Sequence, residues 1–209
     1  MPSYKLRYFH SRGRMEPMKM MFAYAKVPLE LEVIDMNKWP ETKNDQPFGS
    51  LPVFWADGKE LCQSLAIMRF VAHKFGFAGD NAWDCAVADM YIDGYSDFFT
   101  ACSKAVVPHL FAGNMTKARE AFAEQHKEVV EPFLNRYEDF LKRNGGTWFV
   151  GSKVTWVDFA VAELMQRYQE LFDANLLRNY PTLKAHETRV FSLPGVKEYI
   201  ASRSGDLLY

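Results

Sequence analysis

Phe48-Gly49-Ser50-Leu51-Pro52-Val53-Phe54-Trp55-Ala56-Asp57-Gly58-Lys59-Glu60-Leu61-Cys62-Gln63-Ser64-Leu65-Ala66-Ile67-Met68 is the stretch around which the chain is organised. Pro52 has no N–H to give a sheet, so it belongs at a strand start or in a turn. Val53 to Ala56 reads as a short apolar strand and Asp57-Gly58 as a two-residue hairpin turn. Lys59 to Gln63 then reads as the returning strand, and Ser64 as the N-cap of a helix. A proline, a strand end and a helix start would meet in one small volume. The free N–H groups of such a helix start bind a carboxylate well. Ser64 either caps the helix and nothing more, or opens an anion site; the local residues admit both.

Working outward, the 209 residues suffice for two modest domains or one large one. A hydrophobic share of 48% and a charged share of 24% is a soluble globular composition. Aromatics at 15% suffice for large cores or an aromatic-lined pocket. The net charge of -1, with no long basic run, argues against a nucleic-acid partner. Met1 to Phe9 lacks the apolar segment of a signal peptide, and no stretch reaches membrane-span length. Cys62, Cys85 and Cys102 show no Cys-x-x-Cys spacing and read as reduced, mostly buried thiols of a cytoplasmic protein. The five histidines are scattered, without metal-ligand spacing.

Upstream, Tyr4 to Phe9 alternates as a strand, Ser11 to Arg14 is a loop, and a helix covers Glu16 to Lys26 with Pro17 in its first turn. Leu29 to Val33 alternates again, so the chain opens β-α-β with a parallel pair. Asn37 to Ser50, containing Trp39, Lys43 and Gln46, is long and polar, as functional loops are. After Met68 the helix continues with two apolar faces until Gly76, and Gly76 to Asn81 marks a domain boundary. Beyond it only helices are expected. One covers Trp83 to Phe111, bent or broken near Pro108. Another covers Thr116 to Arg143, with Pro132 bending or breaking it, and Asn144-Gly145-Gly146 is its stop. Thr155-Trp156-Val157-Asp158 is a capping-box start with a structural role, and Tyr180-Pro181 and Leu193-Pro194-Gly195 open two shorter helices.

Tyr4-Lys5-Leu6-x-Tyr8-Phe9, Arg12-Gly13-Arg14, Pro47-Phe48-Gly49-x-Leu51-Pro52, Gln63-Ser64-Leu65-Ala66-Ile67 and Val154-Thr155-Trp156-Val157-Asp158 occur in that order. Together they resemble the sigma class of cytosolic glutathione S-transferases, whose members include nematode enzymes and haematopoietic prostaglandin D synthase. The likeness covers essentially the whole chain. It implies an α/β thioredoxin-like N-terminal domain over 1–79, an all-α C-terminal domain over 82–209, and a homodimer. It implies glutathione as co-substrate and no metal. Tyr8 and Arg14 would be catalytic, with the Tyr8 phenol hydrogen-bonded to the glutathione sulfur. Trp39 and Lys43 would bind the glycyl carboxylate. Gly49, Leu51 and a cis Pro52 would hold the cysteinyl part, and Gln63 and Ser64 the γ-glutamyl end. Asp97 of the partner subunit would approach the γ-glutamyl amine; the sequence does not say whether Phe48 plugs into the partner. The electrophile would lie between the domains near Phe9, Arg14, Tyr95, Phe99, Lys104, Val107 and the tail at Leu208-Tyr209.

These residue types suit the chemistry. A free thiol ionises near ~8.5, so little is thiolate at neutral pH. A site lowering that value by about two units supplies roughly 2.7 kcal/mol of differential stabilisation. A neutral phenol donates to the thiolate, and arginine adds a charge that neutral pH does not remove. Each residue also has a plainer reading: Tyr8 as a core tyrosine, Arg14 as a loop charge, Trp39 as a packing anchor, Lys43 as a surface lysine. Asp89, Asp93 and Asp97 form an i, i+4, i+8 stripe, either a solvated face or one facing a partner cation. The related prostaglandin synthase carries a further Asp where this chain has Ser96, and a Trp in place of Lys104; both differences argue against a divalent ion and prostaglandin specificity here. The expected activity is conjugation of glutathione to small electrophilic or hydrophobic molecules in detoxification. The alternatives are a glutathione-dependent prostaglandin D isomerase and a non-catalytic carrier of haem-type ligands.

Overall fold

The computed structural model describes residues 2–203, so the candidate tail at Leu208-Tyr209 lies outside the described residues. These residues form two compact units, 2–77 with 192–203, and 78–191.

The first unit holds strands β1 (Tyr4–Phe9), β2 (Glu30–Ile34), β3 (Val53–Ala56) and β4 (Lys59–Cys62), with helices α1 (Glu16–Ala25) and α3 (Ser64–Phe75). The sheet order is β2-β1-β3-β4, with β1 parallel to β2 and the other pairs antiparallel. Period-2 alternation divides β1 between two environments. Tyr4 and Leu6 are buried beneath α1 and α3 with Phe22, Phe54, Ile67 and Val71. Tyr4, Phe22 and Phe75 meet edge to face at 5.0 to 5.7 Å. On the opposite face Lys5 and Arg7 both pair with Glu32, at 2.7 and 3.0 Å, and Arg7 lies over Trp55. The β3–β4 turn is as expected: Asp57 and Gly58 both take positive φ, and Asp57 exchanges hydrogen bonds with Ser3.

Three local expectations are corrected. The polar loop after β2 is wound into short turns, Met36–Lys38, α2 (Trp39–Thr42) and Lys43–Asp45. Its anchor is Gln46, 6% exposed, which accepts from Arg7 and donates to the Thr42 carbonyl. The returning strand ends at Cys62, and the N-cap of α3 is Gln63, not Ser64. Gln63 turns to φ 71°, its carbonyl accepts from Ile67 N–H at 2.9 Å, and Ser64 falls inside the first turn.

Helix α9 (Val196–Ser202) groups with the first unit. Its start rests against α1 so closely that a Cβ at Gly195 would lie 2.3 Å from the Ala23 carbonyl oxygen. Its end is tied down by Glu16, fully buried, which accepts from Tyr199 Oη at 3.0 Å and Arg203 at 3.1 Å.

The second unit is helical: α4 (Ala82–Phe111), α5 (Met115–Glu124), α6 (Glu131–Arg143), α7 (Trp156–Leu171) and α8 (Pro181–Phe191). The α4 helix starts where the Asn81 side chain caps Trp83 and Asp84 N–H, and it carries Pro108 without a break. The helix expected over Thr116 to Arg143 takes the broken form. A π-helical turn, His126–Val130, separates α5 from α6, and Pro132, lacking an N–H, sits in the first turn of α6. The capping box starts α7: fully buried Asp158 accepts from Thr155 N–H at 2.6 Å, Thr155 Oγ1 at 2.9 Å and Phe149 N–H at 3.0 Å. His186 of α8 lies 2.8 Å from the same carboxylate. Glu138 of α6 accepts from Thr182 and Leu183 N–H and so caps α8.

Candidate active site

Tyr8 lies near the end of β1, in register with Val33 of the edge strand. It is half-buried, and the β1–α1 loop folds back over its hydroxyl. The Arg14 backbone N–H donates to Tyr8 Oη at 3.1 Å. That contact determines what the phenol can do. An oxygen that accepts from an amide is polarised and held in place, and the hydroxyl proton is then the part that can donate to a ligand. The loop carrying Arg14 is braced in turn: Lys19 Nζ donates to the Ser11 carbonyl at 3.1 Å and pairs with Glu16 at 3.3 Å. Burial alone would raise the Glu16 carboxyl pKa, but the Lys19 and Arg203 charges outweigh it and hold the group below the usual range.

The remaining residues of the expected tripeptide site lie along the first unit. Phe9 packs edge to face with Trp39, ring centres 5.1 Å apart, so Trp39 is oriented by the strand that carries Tyr8. Lys43 is exposed in the next turn, and Gly49 N–H donates to the Gln46 carbonyl at 2.9 Å. The Leu51–Pro52 bond is cis, with Pro52 buried. Gln63 is exposed, and its φ of 71° places it where non-glycine residues are uncommon. Backbone of this kind costs on the order of 1–3 kcal/mol and gathers at binding sites. Behind it, the α3 N-terminus offers backbone amides without intrahelical partners, with Ser64 in the first turn.

In the second unit, Tyr95 and Phe99 are buried and stack at 6.1 Å, with Arg167 5.2 Å above Phe99. Lys104 and Asp97 are exposed on α4, and Val107 is half-buried. Among the described residues no group of three or more His, Cys, Asp or Glu side chains is arranged to hold a metal ion. Two contributors were not singled out for a role from sequence. Gln46 was noted only as a loop residue, and Glu16 gave no signal because its partners Tyr199 and Arg203 are remote in sequence.

The chain matches two family descriptions, Glutathione S-transferase, N-terminal domain, over residues 4–73, and Glutathione S-transferase, C-terminal domain, over residues 97–203. It is 33% identical to Glutathione S-transferase 4 of Caenorhabditis elegans over the whole of both chains. It resembles the structure of a Nu-class GST from Haemonchus contortus, with a TM-score of 0.83 and 33% identity over all of both chains. It resembles the prostaglandin synthase D of Nilaparvata lugens equally, with a TM-score of 0.83 and 33% identity over 97% of this chain and 98% of that one. The strand order agrees with these likenesses, and the chain belongs to the glutathione S-transferase family.

Proposed function

We propose that this protein conjugates the glutathione thiolate to small electrophilic or hydrophobic molecules, with Tyr8 and Arg14 at the sulfur. The single observation that carries this reading is the Tyr8 hydroxyl, fixed in place at the end of β1 by the Arg14 N–H. The thiol loses its proton to water, the thiolate accepts the Tyr8 hydrogen bond, and sulfur attacks the electrophilic carbon. With an aryl chloride, a C–S bond forms and chloride leaves. Binding the tripeptide at Trp39, Lys43, Gly49, Leu51, Pro52, Gln63 and Ser64 orients the sulfur and lowers the entropic cost of the encounter.

We place the protein nearest the sigma class on its five motif segments and assign it a cytoplasmic homodimer, with Asp97 of the partner subunit at the γ-glutamyl amine. Support for a dimer comes from large apolar side chains in the open: Phe48 is 65% exposed and Trp83 76% exposed. No helix among the described residues is long and apolar enough to cross a membrane. A second reading, a glutathione-dependent isomerase, draws on the likeness to the Nilaparvata lugens protein. Lys104, exposed and charged, favours conjugation.

The test is turnover of chlorodinitrobenzene with glutathione by the wild-type chain and by Tyr8→Phe. Conjugation should fall by about tenfold to a hundredfold, with glutathione still bound. Equal turnover by both would remove Tyr8 from the chemistry. No turnover by either, with a D-type prostaglandin formed from the endoperoxide, would favour the isomerase.

A further inference from the structure

We propose that Gly13 is a positioning residue for thiol ionisation: with no side chain at 13, the Tyr8 hydroxyl rests against the loop backbone, takes the Arg14 N–H and is placed to donate its proton to sulfur. This rests on the role given to Tyr8 above. Gly13 is buried and has φ +46°. A Cβ at that position would lie 2.4 Å from Tyr8 Oη and 3.2 Å from ring atoms Cε1 and Cζ. The nearest atom is therefore the hydroxyl oxygen itself, the atom given the chemical role. The ring is also braced on its strand side by Phe9, centres 6.0 Å apart. A methyl group at 13 displaces the hydroxyl by roughly an ångström, and hydrogen bonds weaken steeply over such a change. The Arg14 contact, already 3.1 Å, and the sulfur contact would lengthen together. The tripeptide's two ends are assigned to other residues, so the cost should fall on ionisation and not on binding.

Backbone strain and side-chain contact are separable in this molecule. Gly58 also has positive φ, +77°, and a Cβ there would meet nothing within 4 Å. Gly58→Ala thus carries the strain of a left-handed alanine without any contact.

The experiment compares kcat/KM against pH, and the melting temperature, for wild type, Gly13→Ala, Gly58→Ala, Tyr8→Phe and the double variant Tyr8→Phe/Gly13→Ala. Gly13→Ala should lose about tenfold in kcat/KM at neutral pH as the acid limb of its profile moves up by about one unit. KM for glutathione should stay within about twofold, and Gly58→Ala should keep the wild-type profile. In the Tyr8→Phe background, Gly13→Ala should cost less than about a further twofold, because the clashing oxygen is gone. Should Gly13→Ala fail to fold, the double variant should recover a folded chain and a higher melting temperature. A folded Gly13→Ala with an unshifted acid limb would overturn the proposal. So would a loss that multiplies fully in the double variant, or an unfolded Gly13→Ala that Tyr8→Phe does not rescue. If Tyr8→Phe alone leaves turnover unchanged, the role of Tyr8 fails instead, and the melting temperatures still report the contact.

Discussion

Glu16 and Arg203, 187 positions apart in sequence, meet at 3.1 Å in the interior of the first unit. The Glu16 carboxylate is fully buried, and Lys19 and Tyr199 complete its set of partners. Removing its charge leaves two nearly buried cations facing each other, and breaking a buried pair costs about 3 kcal/mol or more. Glu16→Gln should therefore lower the urea midpoint by a corresponding amount. The pH dependence follows from the direction of the shift. The folded carboxyl titrates below its usual 4.5, so its stabilisation is complete above that value and is lost as pH falls through the lower folded value. Wild type should show this acid loss and Glu16→Gln should show less of it, as read from urea midpoints across the acid range.

Gln63 holds φ 71° and ψ 116° at the N-cap of α3, with no side-chain cap bond. If the conformation is retained for binding, glycine there relieves strain and harms function. Gln63→Gly should raise folding stability by about 1 kcal/mol, while KM for glutathione rises about tenfold. Calorimetry and initial-rate kinetics on the same sample check both. A fall in stability would show that the side chain, not the backbone, holds the junction.

Asp158 is a shared acceptor of the second unit, taking hydrogen bonds from Phe149 and Thr155 and lying 2.8 Å from His186. Asp158→Ala strands several buried donors, each worth about 1–3 kcal/mol. A loss of roughly 3 kcal/mol or failure to fold is expected, measured by urea denaturation. Asp158 is not among the residues assigned to either substrate, so the surviving folded fraction should keep its kcat at low temperature.

Burial pushes the Cys102 thiol up to about 12, against a smaller opposing hydrogen bond with Tyr168. Thiolate is the reactive form, so Cys102 should resist alkylation in the native state at neutral pH. Mass spectrometry after brief iodoacetamide treatment should find label at the partly exposed Cys62 and Cys85 first, and at Cys102 only after unfolding.

Much of the architecture was legible because strong local signals govern it. Alternation in Tyr4–Phe9, the Asp57-Gly58 turn and the Thr155–Asp158 box each act over a few residues, and each appears where the sequence puts it. Pro132 reads in the sequence as a bend or break in one long helix, and in the structure it is a break: a π-helical turn followed by a new start. The Gln63 cap was misread because serine is the better N-cap by propensity, whereas here the backbone conformation selects the residue before it. Gly13 was quoted within the Arg12-Gly13-Arg14 segment but given no role of its own. Its closeness to Tyr8 Oη exists only once β1 and the following loop have folded back on each other. The attachment of α9 to α1 was illegible for the same reason, since nothing near Arg203 in sequence names Glu16 as its partner.

The most direct measurement is the titration of the glutathione sulfur on the wild-type protein, followed by the ultraviolet absorbance of the thiolate across pH. With Tyr8 fixed by the Arg14 N–H, the bound thiol should ionise about two units below its free value of ~8.5. Tyr8→Phe should return most of that shift. A bound sulfur that titrates like free glutathione in the wild-type complex would contradict the role of the phenol altogether.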